Sequence, residues 1–290
     1  MTLDATTAAA SPLAIICGGG SLPQAVAQAV DRTGRRCVLF AIRGWAEPAA
    51  VEAFPHHWVD LGRYGRFRRL MQAEGCRDVV FIGTVLRPSL TQIRLDWETV
   101  RVLPDVWRAF HGGDNHLLSG VGRILGGHGY RLIGAHEVAP DILVPEGPLG
   151  RCAPSARDMA DIAVALDLLR ATSPFDVGQG AVVADRHVLA VEAAEGTDGM
   201  LDRIADLRRQ GRIQTRPGVG VLVKAAKIGQ DHRFDLPTIG PKTVDGVARA
   251  GLAGLAVVAG ATIMAEPQEI VRQANAAGVF AAGVRPPQAE

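Results

Sequence analysis

Short apolar runs alternate along the chain with stretches whose apolar residues recur at helical spacing. Leu13–Cys17 is wholly apolar and stops at Gly18-Gly19-Gly20-Ser21. Leu22-Pro23-Gln24 then leads into Val26, Ala29 and Val30, which share one helix face. The pattern predicts strand, tight turn and helix, with Ser21 or Leu22 near the cap and Pro23 in the first turn, where a missing N–H is tolerated. Cys37–Ile42 predicts a second strand, 57–61 a short third, 63–70 a helix, and Asp78–Ile82 a strand ending in Gly83-Thr84. Helices are expected over 97–110 and 117–125, and a last strand over 130–134. Strands alternating with helices imply a parallel, doubly wound sheet.

Residues 139–154 are rich in proline and glycine and predict a linker. Ser155 then reads as an N-cap, before a helix at 158–170 with Ile162, Leu166 and Leu169 on one face. A hairpin is expected around Asp185-Arg186, followed by a helix at 199–210, a strand at 220–225, a helix at 244–250 and a strand at 255–259. Ile263-Met264 is a short apolar pair, and Pro267–Ala277 is a final helix. The fold class expected is α/β: a Rossmann-like N-terminal parallel sheet domain at 1–138, the linker at 139–154, and a distinct C-terminal α/β catalytic domain at 155–290.

Composition changes this picture little. The 290 residues are 48% hydrophobic, enough for a core in each half, and a net charge of +1 gives no field favouring nucleic acid. Cys17, Cys37, Cys76 and Cys152 lie far apart without a CxxC pair, which predicts free thiols and a reducing compartment. Residues 1–11 carry no Lys or Arg and lack the apolar stretch of a signal peptide; no run of ~18 apolar residues occurs. A cytoplasmic protein is expected, free to touch a membrane surface. The eight His residues form no HxH or HExxH, which argues against a zinc site.

Candidate chemistry lies in four places. Gly18, Gly19, Gly20 and Ser21 form a turn whose backbone can approach phosphate at a helix N-terminus; the bland reading is a tight strand–helix turn. The glycine that a dinucleotide fingerprint requires is replaced by Pro23, and the second strand runs into Arg43 rather than a ribose-binding acid. Past the strand at 78–82, Arg87 suits a phosphate fork, and Asp114 reads as a metal or ribose contact or as a helix cap. Glu195, Gly196, Thr197 and Asp198 lead into a helix, where acids also serve as plain caps. The densest segment runs from Lys224 to Thr243. Lys224, Lys227, Arg233 and Lys242 surround Asp231 and Asp235, with Gln230 and Thr243 in the same stretch. Pyrophosphate cleavage needs this inventory: cations for phosphoryl oxygens, and carboxylates to hold Mg²⁺ or orient water. In an extended loop, residues 231, 233 and 235 would point to one side. Asp231 and Asp235 are therefore the expected metal ligands and water-orienting acids.

These segments, in this order and continuing through Ala250-Gly251-Leu252-Ala253-Gly254, resemble the LpxI-type UDP-2,3-diacylglucosamine pyrophosphatases over about residues 13–284. Ile228 stands where the family pattern leads one to expect proline. The resemblance implies hydrolysis of UDP-2,3-diacylglucosamine to UMP and 2,3-diacylglucosamine 1-phosphate (lipid X) with Mg²⁺ in lipid A biosynthesis, with water attacking the sugar-side phosphorus. It also implies a lipid-linked substrate and peripheral contact with the inner-membrane surface. Two other readings stay open on the residues: an NADP-dependent oxidoreductase with Arg43 on the 2′-phosphate, and a non-catalytic nucleotide-sugar or lipid-binding protein. A concentrated loop of acids and bases is superfluous to mere binding.

Overall fold

The computed structural model describes residues 11–85, 95–101, 114–233 and 236–286, with the backbone alone at 114–119. The chain divides into two compact units. One runs through Pro140 and includes 231–233; the other comprises Asp141–Gln230 and the chain from 236 onward.

The first unit contains β1 (Leu13–Cys17), α1 (Leu22–Arg32), β2 (Cys37–Ile42), α2 (Pro48–Val51), β3 (His56–Val59), α3 (Tyr64–Ala73), β4 (Asp78–Ile82), α4 (Asp114–Gly127), β5 (Arg131–Leu132) and α5 (Ala135–Val138). Its strands are all parallel in the order β3-β2-β1-β4-β5. Every residue of β1 and β2 is buried, as a strand covered on both faces requires. Ala14, Ile16, Val38, Phe40 and Ile42 form one face with Met71 and Leu125. α1 begins at Leu22, with Ser21 at the cap and proline in the first turn.

The sheet is pinned where β4 starts. Asp78 is buried, and it accepts from Arg35 and, at 2.8 and 3.0 Å, from Arg131. The last strand is shorter than the expected 130–134. Its backbone pairs only over Arg131–Leu132, because Gly134 already opens α5, where the Glu137 carboxylate accepts the Gly134 N–H at 2.7 Å. Of the helix expected at 97–110, residues 97–101 are helical and 102–110 lie outside the described residues.

The second unit contains β6 (Gly147–Pro148), α6 (Ala156–Thr172), β7 (Gly180–Ala184), β8 (His187–Val191), α7 (Gly196–Arg209), β9 (Val221–Lys224), β10 (Thr238–Ile239), α8 (Pro241–Arg249), β11 (Gly254–Val258), β12 (Ile263–Met264), α9 (Pro267–Ala277) and β13 (Phe280–Val284). Six strands run in the order β6-β13-β11-β9-β7-β8. β13, β11 and β9 are parallel, whereas β6 and β7 are antiparallel to their neighbours. β10 and β12 form a separate parallel pair.

One face packs Ala181, Val183, Val221, Val223 and Ala256 against Ile162, Leu166 and Leu169 of α6. The other packs Val182, Leu222, Leu255 and Val257 against residues of α7, α8 and α9. Ser155 caps α6 as expected, accepting the Asp158 N–H while Asp158 accepts the Ser155 N–H at 2.8 Å. The β7–β8 hairpin turns on Asp185 and Arg186, both at positive φ. Buried Asp161 accepts the N–H of each.

Residues 141–154, expected within a linker, belong to the second unit: Leu143 bridges to Ile263, the Val144 N–H bonds to Thr262, and β6 pairs with β13. β13 itself has no counterpart in the periodicity reading. Its Phe-Ala-Ala-Gly-Val sequence starts two residues after the C-cap Gly278 and carries little alternation.

Candidate active site

At the C-terminal ends of β1 and β4, the strand order of the first sheet reverses, and such switch points open a crevice for ligands. The loops that follow these two strands are tied together there. Gly19 N–H donates to Thr84 O at 2.9 Å, and Thr84 N–H donates to Gly19 O at 3.0 Å. This packing explains two of the three glycines. A Cβ on Gly18 would stand 2.5 Å from Thr84 O, and one on Gly19 would stand 2.9 Å from Trp45 O. Gly20 differs: it is exposed at φ +91° with open space around its Cα. The part of the turn that faces solvent is therefore Gly20 and the start of α1. Arg43, beyond β2, lies 3.7 Å from Asp60 and over the Trp58 ring, two partners that already engage its guanidinium. Arg87 lies outside the described residues, as do the side chains at 114–116.

In the second unit, the segment after β9 is built around Lys224. This last residue of an apolar strand is only 8% exposed, and its ammonium donates to Thr238 O at 3.0 Å. The loop that follows is anchored by Gln230, buried at the same level. Gln230 Oε1 accepts the Lys227 N–H at 3.0 Å and Gln179 Nε2 at 3.1 Å. The Lys227 side chain turns to Asp176, 2.5 Å away, and the Ile228 N–H donates to Ser173 Oγ. Thr243 is buried in the first turn of α8 and accepts the Gly240 N–H at 3.3 Å. Lys242 beside it is exposed.

The acidic segment lies at the start of α7. Glu195 pairs with Arg203 at 2.7 Å, and its carboxyl is held below the usual range by its own backbone N–H and then by that guanidinium. Asp198 is exposed. Thr197 Oγ1 donates to Glu192 Oε1 at 3.0 Å. The other oxygen, Glu192 Oε2, is buried and has no hydrogen-bond partner among the described residues.

Residues 231–233 form a turn rather than the extended run expected for 231–235. Arg233 clasps Asp231 through Nε at 2.9 Å and through its terminal nitrogen at 2.6 Å, and the Arg233 N–H reaches Asp231 Oδ1 at 3.1 Å. That clasp holds the Asp231 carboxyl below its ordinary value despite partial burial. The turn forms because an Asp side chain accepts readily from the backbone two residues on. Asp235 lies outside the described residues. No cluster of three or more His, Cys, Asp or Glu suited to a metal ion occurs among the described residues. Both Asp231 oxygens already accept from Arg233, so a cation at this turn would have to be carried mainly by substrate phosphates.

The structure thus brings Lys227 and Gln230 into one local network with Gln179, ties Lys224 to Thr238, and joins Asp231 and Arg233 in one pair. It does not gather all four expected cations, since Lys227 turns to Asp176. Asp176, Gln179 and Glu192 escaped selection from the sequence; only Glu192 had a local signal, as the first acid of 192–198.

Residues 12–142 match the family described as LpxI N-terminal domain, and residues 145–282 match LpxI C-terminal domain. The chain is 40% identical over 274 residues to the UDP-2,3-diacylglucosamine pyrophosphatase LpxI of Caulobacter vibrioides. That alignment covers 94% of this chain and 98% of the relative.

Proposed function

The chain belongs to the LpxI family, and from that premise we propose that it hydrolyses the pyrophosphate of UDP-2,3-diacylglucosamine, releasing UMP and 2,3-diacylglucosamine 1-phosphate. The geometric observation that supports this most is the Lys224 ammonium, kept nearly buried at the end of an apolar strand. An ammonium held in place at a strand's C-terminal end is suited to a charge-assisted hydrogen bond with a phosphoryl oxygen.

In this reading, Gly20 and the N–H groups opening α1 receive a phosphate or the uridine of the substrate. Lys224 stabilises charge that develops on the phosphoryl oxygens. Asp231, kept ionised by Arg233, orients the attacking water and takes its proton. The new bond joins water oxygen to the sugar-side phosphorus, the bridging P–O bond breaks, and UMP leaves. Arg87, Glu195, Gly196, Thr197, Asp198, Gln230, Lys242 and Thr243 complete the contacts to substrate. Asp231 and Asp235 would hold Mg²⁺, which when bound neutralises diphosphate charge.

No described helix is long and apolar enough to cross a membrane. An acylated substrate calls for work at the cytoplasmic surface of the inner membrane, and the enzyme is assigned there. Purified protein with Mg²⁺ should release UMP from UDP-2,3-diacylglucosamine far faster than from UDP-N-acetylglucosamine. Equal rates on the two would overturn the assignment of the lipid substrate.

A further inference from the structure

Two large apolar side chains lie exposed at the end of the second sheet that carries Lys224. Phe175, in the tight turn between α6 and β7, is 79% exposed, and Ile228, in the turn after β9, is 69% exposed. Among the described residues no large apolar side chain is more exposed than Phe175. The two turns are bonded to each other. The Ile228 N–H donates to Ser173 Oγ at 2.7 Å, and the Lys227 ammonium donates to Asp176 Oδ1 at 2.5 Å and Asp176 O at 3.4 Å. Phe175 stands between Ser173 and Asp176, so its turn is held on both sides to the turn of Ile228. Behind them, the Ala225 N–H donates to Gln179 O at 2.9 Å, and Gln179 Nε2 donates to Gln230 Oε1 at 3.1 Å. The apolar pair therefore sits on braced backbone.

Single exposed apolar residues are ordinary, but two on adjoining braced turns, with Pro174 also exposed, form a local apolar tip. Its surroundings decide what covers it. Residues 173–176 and 227–230 contain one acid, Asp176, and one base, Lys227, and these pair with each other. The tip thus offers no net charge to an anionic partner and no free charge to desolvate at an apolar surface. A second copy of the chain is a poor occupant. Even an aromatic side chain buries only about 150–250 Å², so two side chains fall well short of the roughly 800 Å² per partner of a stable interface. A bilayer interface asks for less, since binding there grows with whatever apolar area is inserted. The place is also apt: Lys224 precedes Ile228 by four residues, and the substrate of the proposed reaction carries two acyl chains.

We propose that Phe175 and Ile228 form an insertion tip that docks the enzyme on a lipid bilayer by apolar burial rather than by charge, and so brings the Lys224 end of the sheet to the membrane. The inference rests on the reading that the substrate is a membrane lipid. Ile228 replaces the proline of the family pattern and gives this chain a larger apolar side chain at the tip.

The test uses the full-length protein and co-sedimentation with zwitterionic phosphatidylcholine vesicles that contain no substrate. The parent should bind, and high salt should not release it, because screening weakens only charge-driven docking. Phe175→Ser and Ile228→Ser should each weaken vesicle partition about tenfold, the order expected on withdrawing one large apolar side chain from an apolar phase, with the melting temperature unchanged. Met159→Ser, at an exposed position in the first turn of α6, should bind like the parent. UDP-2,3-diacylglucosamine dispersed in detergent should be hydrolysed equally by the parent and both tip variants, and substrate held in vesicles more slowly by the variants. Equal sedimentation of parent and tip variants would overturn the inference. So would release by salt, a dimer in light scattering that the substitutions abolish, or a loss of turnover in detergent, which would make the pair a contact for the substrate's own acyl chains. Absent hydrolysis by the parent in detergent would instead overturn the proposed activity; vesicle binding, read without substrate, keeps the two failures apart.

Discussion

Lys224 and Thr238 are joined by a 3.0 Å hydrogen bond from the lysine ammonium to the threonine carbonyl, tying the end of β9 to the start of β10. The bond aims a cation that the strand would otherwise bury in apolar surroundings. Lys224→Met fills similar volume without the charge. Its kcat should fall by ~10² or more, the usual result of losing one preorganised donor to a developing oxyanion, while its thermal midpoint stays near that of the parent. Turnover within a factor of about three of the parent would exclude a phosphate-contacting Lys224.

The clasp of Arg233 on Asp231 makes a pH prediction. The Asp231 carboxyl is held low, first by the Arg233 side-chain hydrogen bond, so its charge persists as pH falls and is lost only on passing that depressed value. Arg233→Ala should return it toward the ordinary carboxylate value. The acid limb of kcat/KM should then move to higher pH, whatever happens to the maximal rate. An acid limb that stays in place would show that Asp231 does not act as an ionised carboxylate.

Two neighbouring glycines should respond differently. Gly18→Ala drives a Cβ into the Thr84 carbonyl and the Gly83 backbone, and should cost about 1–3 kcal/mol of stability by overpacking. Gly20→Ala meets no atom but strains a positive φ, at a cost of order 1 kcal/mol. Calorimetric binding of UMP should weaken in the Gly20 variant more than its modest loss of stability accounts for. Saturable NAD(P) binding to the parent would contradict the assignment of this turn to uridine or phosphate.

Asp78 carries a stability prediction away from the chemistry. Burial alone would raise its pKa, but hydrogen bonds from Arg131 and Arg35 outweigh that and leave it lowered. The stabilisation is therefore present at neutral pH and fades as pH falls through the depressed value. Asp78→Ala should cost about 3 kcal/mol at neutral pH, since it strands a partly buried Arg35. The difference from the parent should shrink in acid. A pH-independent difference in denaturant midpoints would refute the ion-pair account.

Much of the fold is legible because its signals are local. The β1 turn, the Ser155 cap and the Asp185-Arg186 hairpin each announce themselves through residues a few positions apart. β13 does not, since Ala281, Ala282 and Gly283 are buried by strands and loops distant in sequence. The site divides in the same way. Asp231 and Arg233 stand two residues apart, and their pairing is readable, although the turn that an Asp favours replaced the expected extended run. Lys227 finds Asp176 across 51 residues of sequence, so no spacing rule would have removed it from the set of cations.

Hydrolysis itself gives the most direct test, with wild-type protein and Asp231→Ala compared at equal circular dichroism and melting temperature. The wild type with Mg²⁺ should convert UDP-2,3-diacylglucosamine to UMP and 2,3-diacylglucosamine 1-phosphate in equal amounts, and excess EDTA should stop the reaction. Asp231→Ala should bind the same substrate yet turn it over at least ~10²-fold more slowly, as expected on losing an acid–base or charge-positioning group. Absence of both products from the folded wild type would contradict the proposed activity. Near-wild-type rates from Asp231→Ala would remove the 231–233 turn from the chemistry.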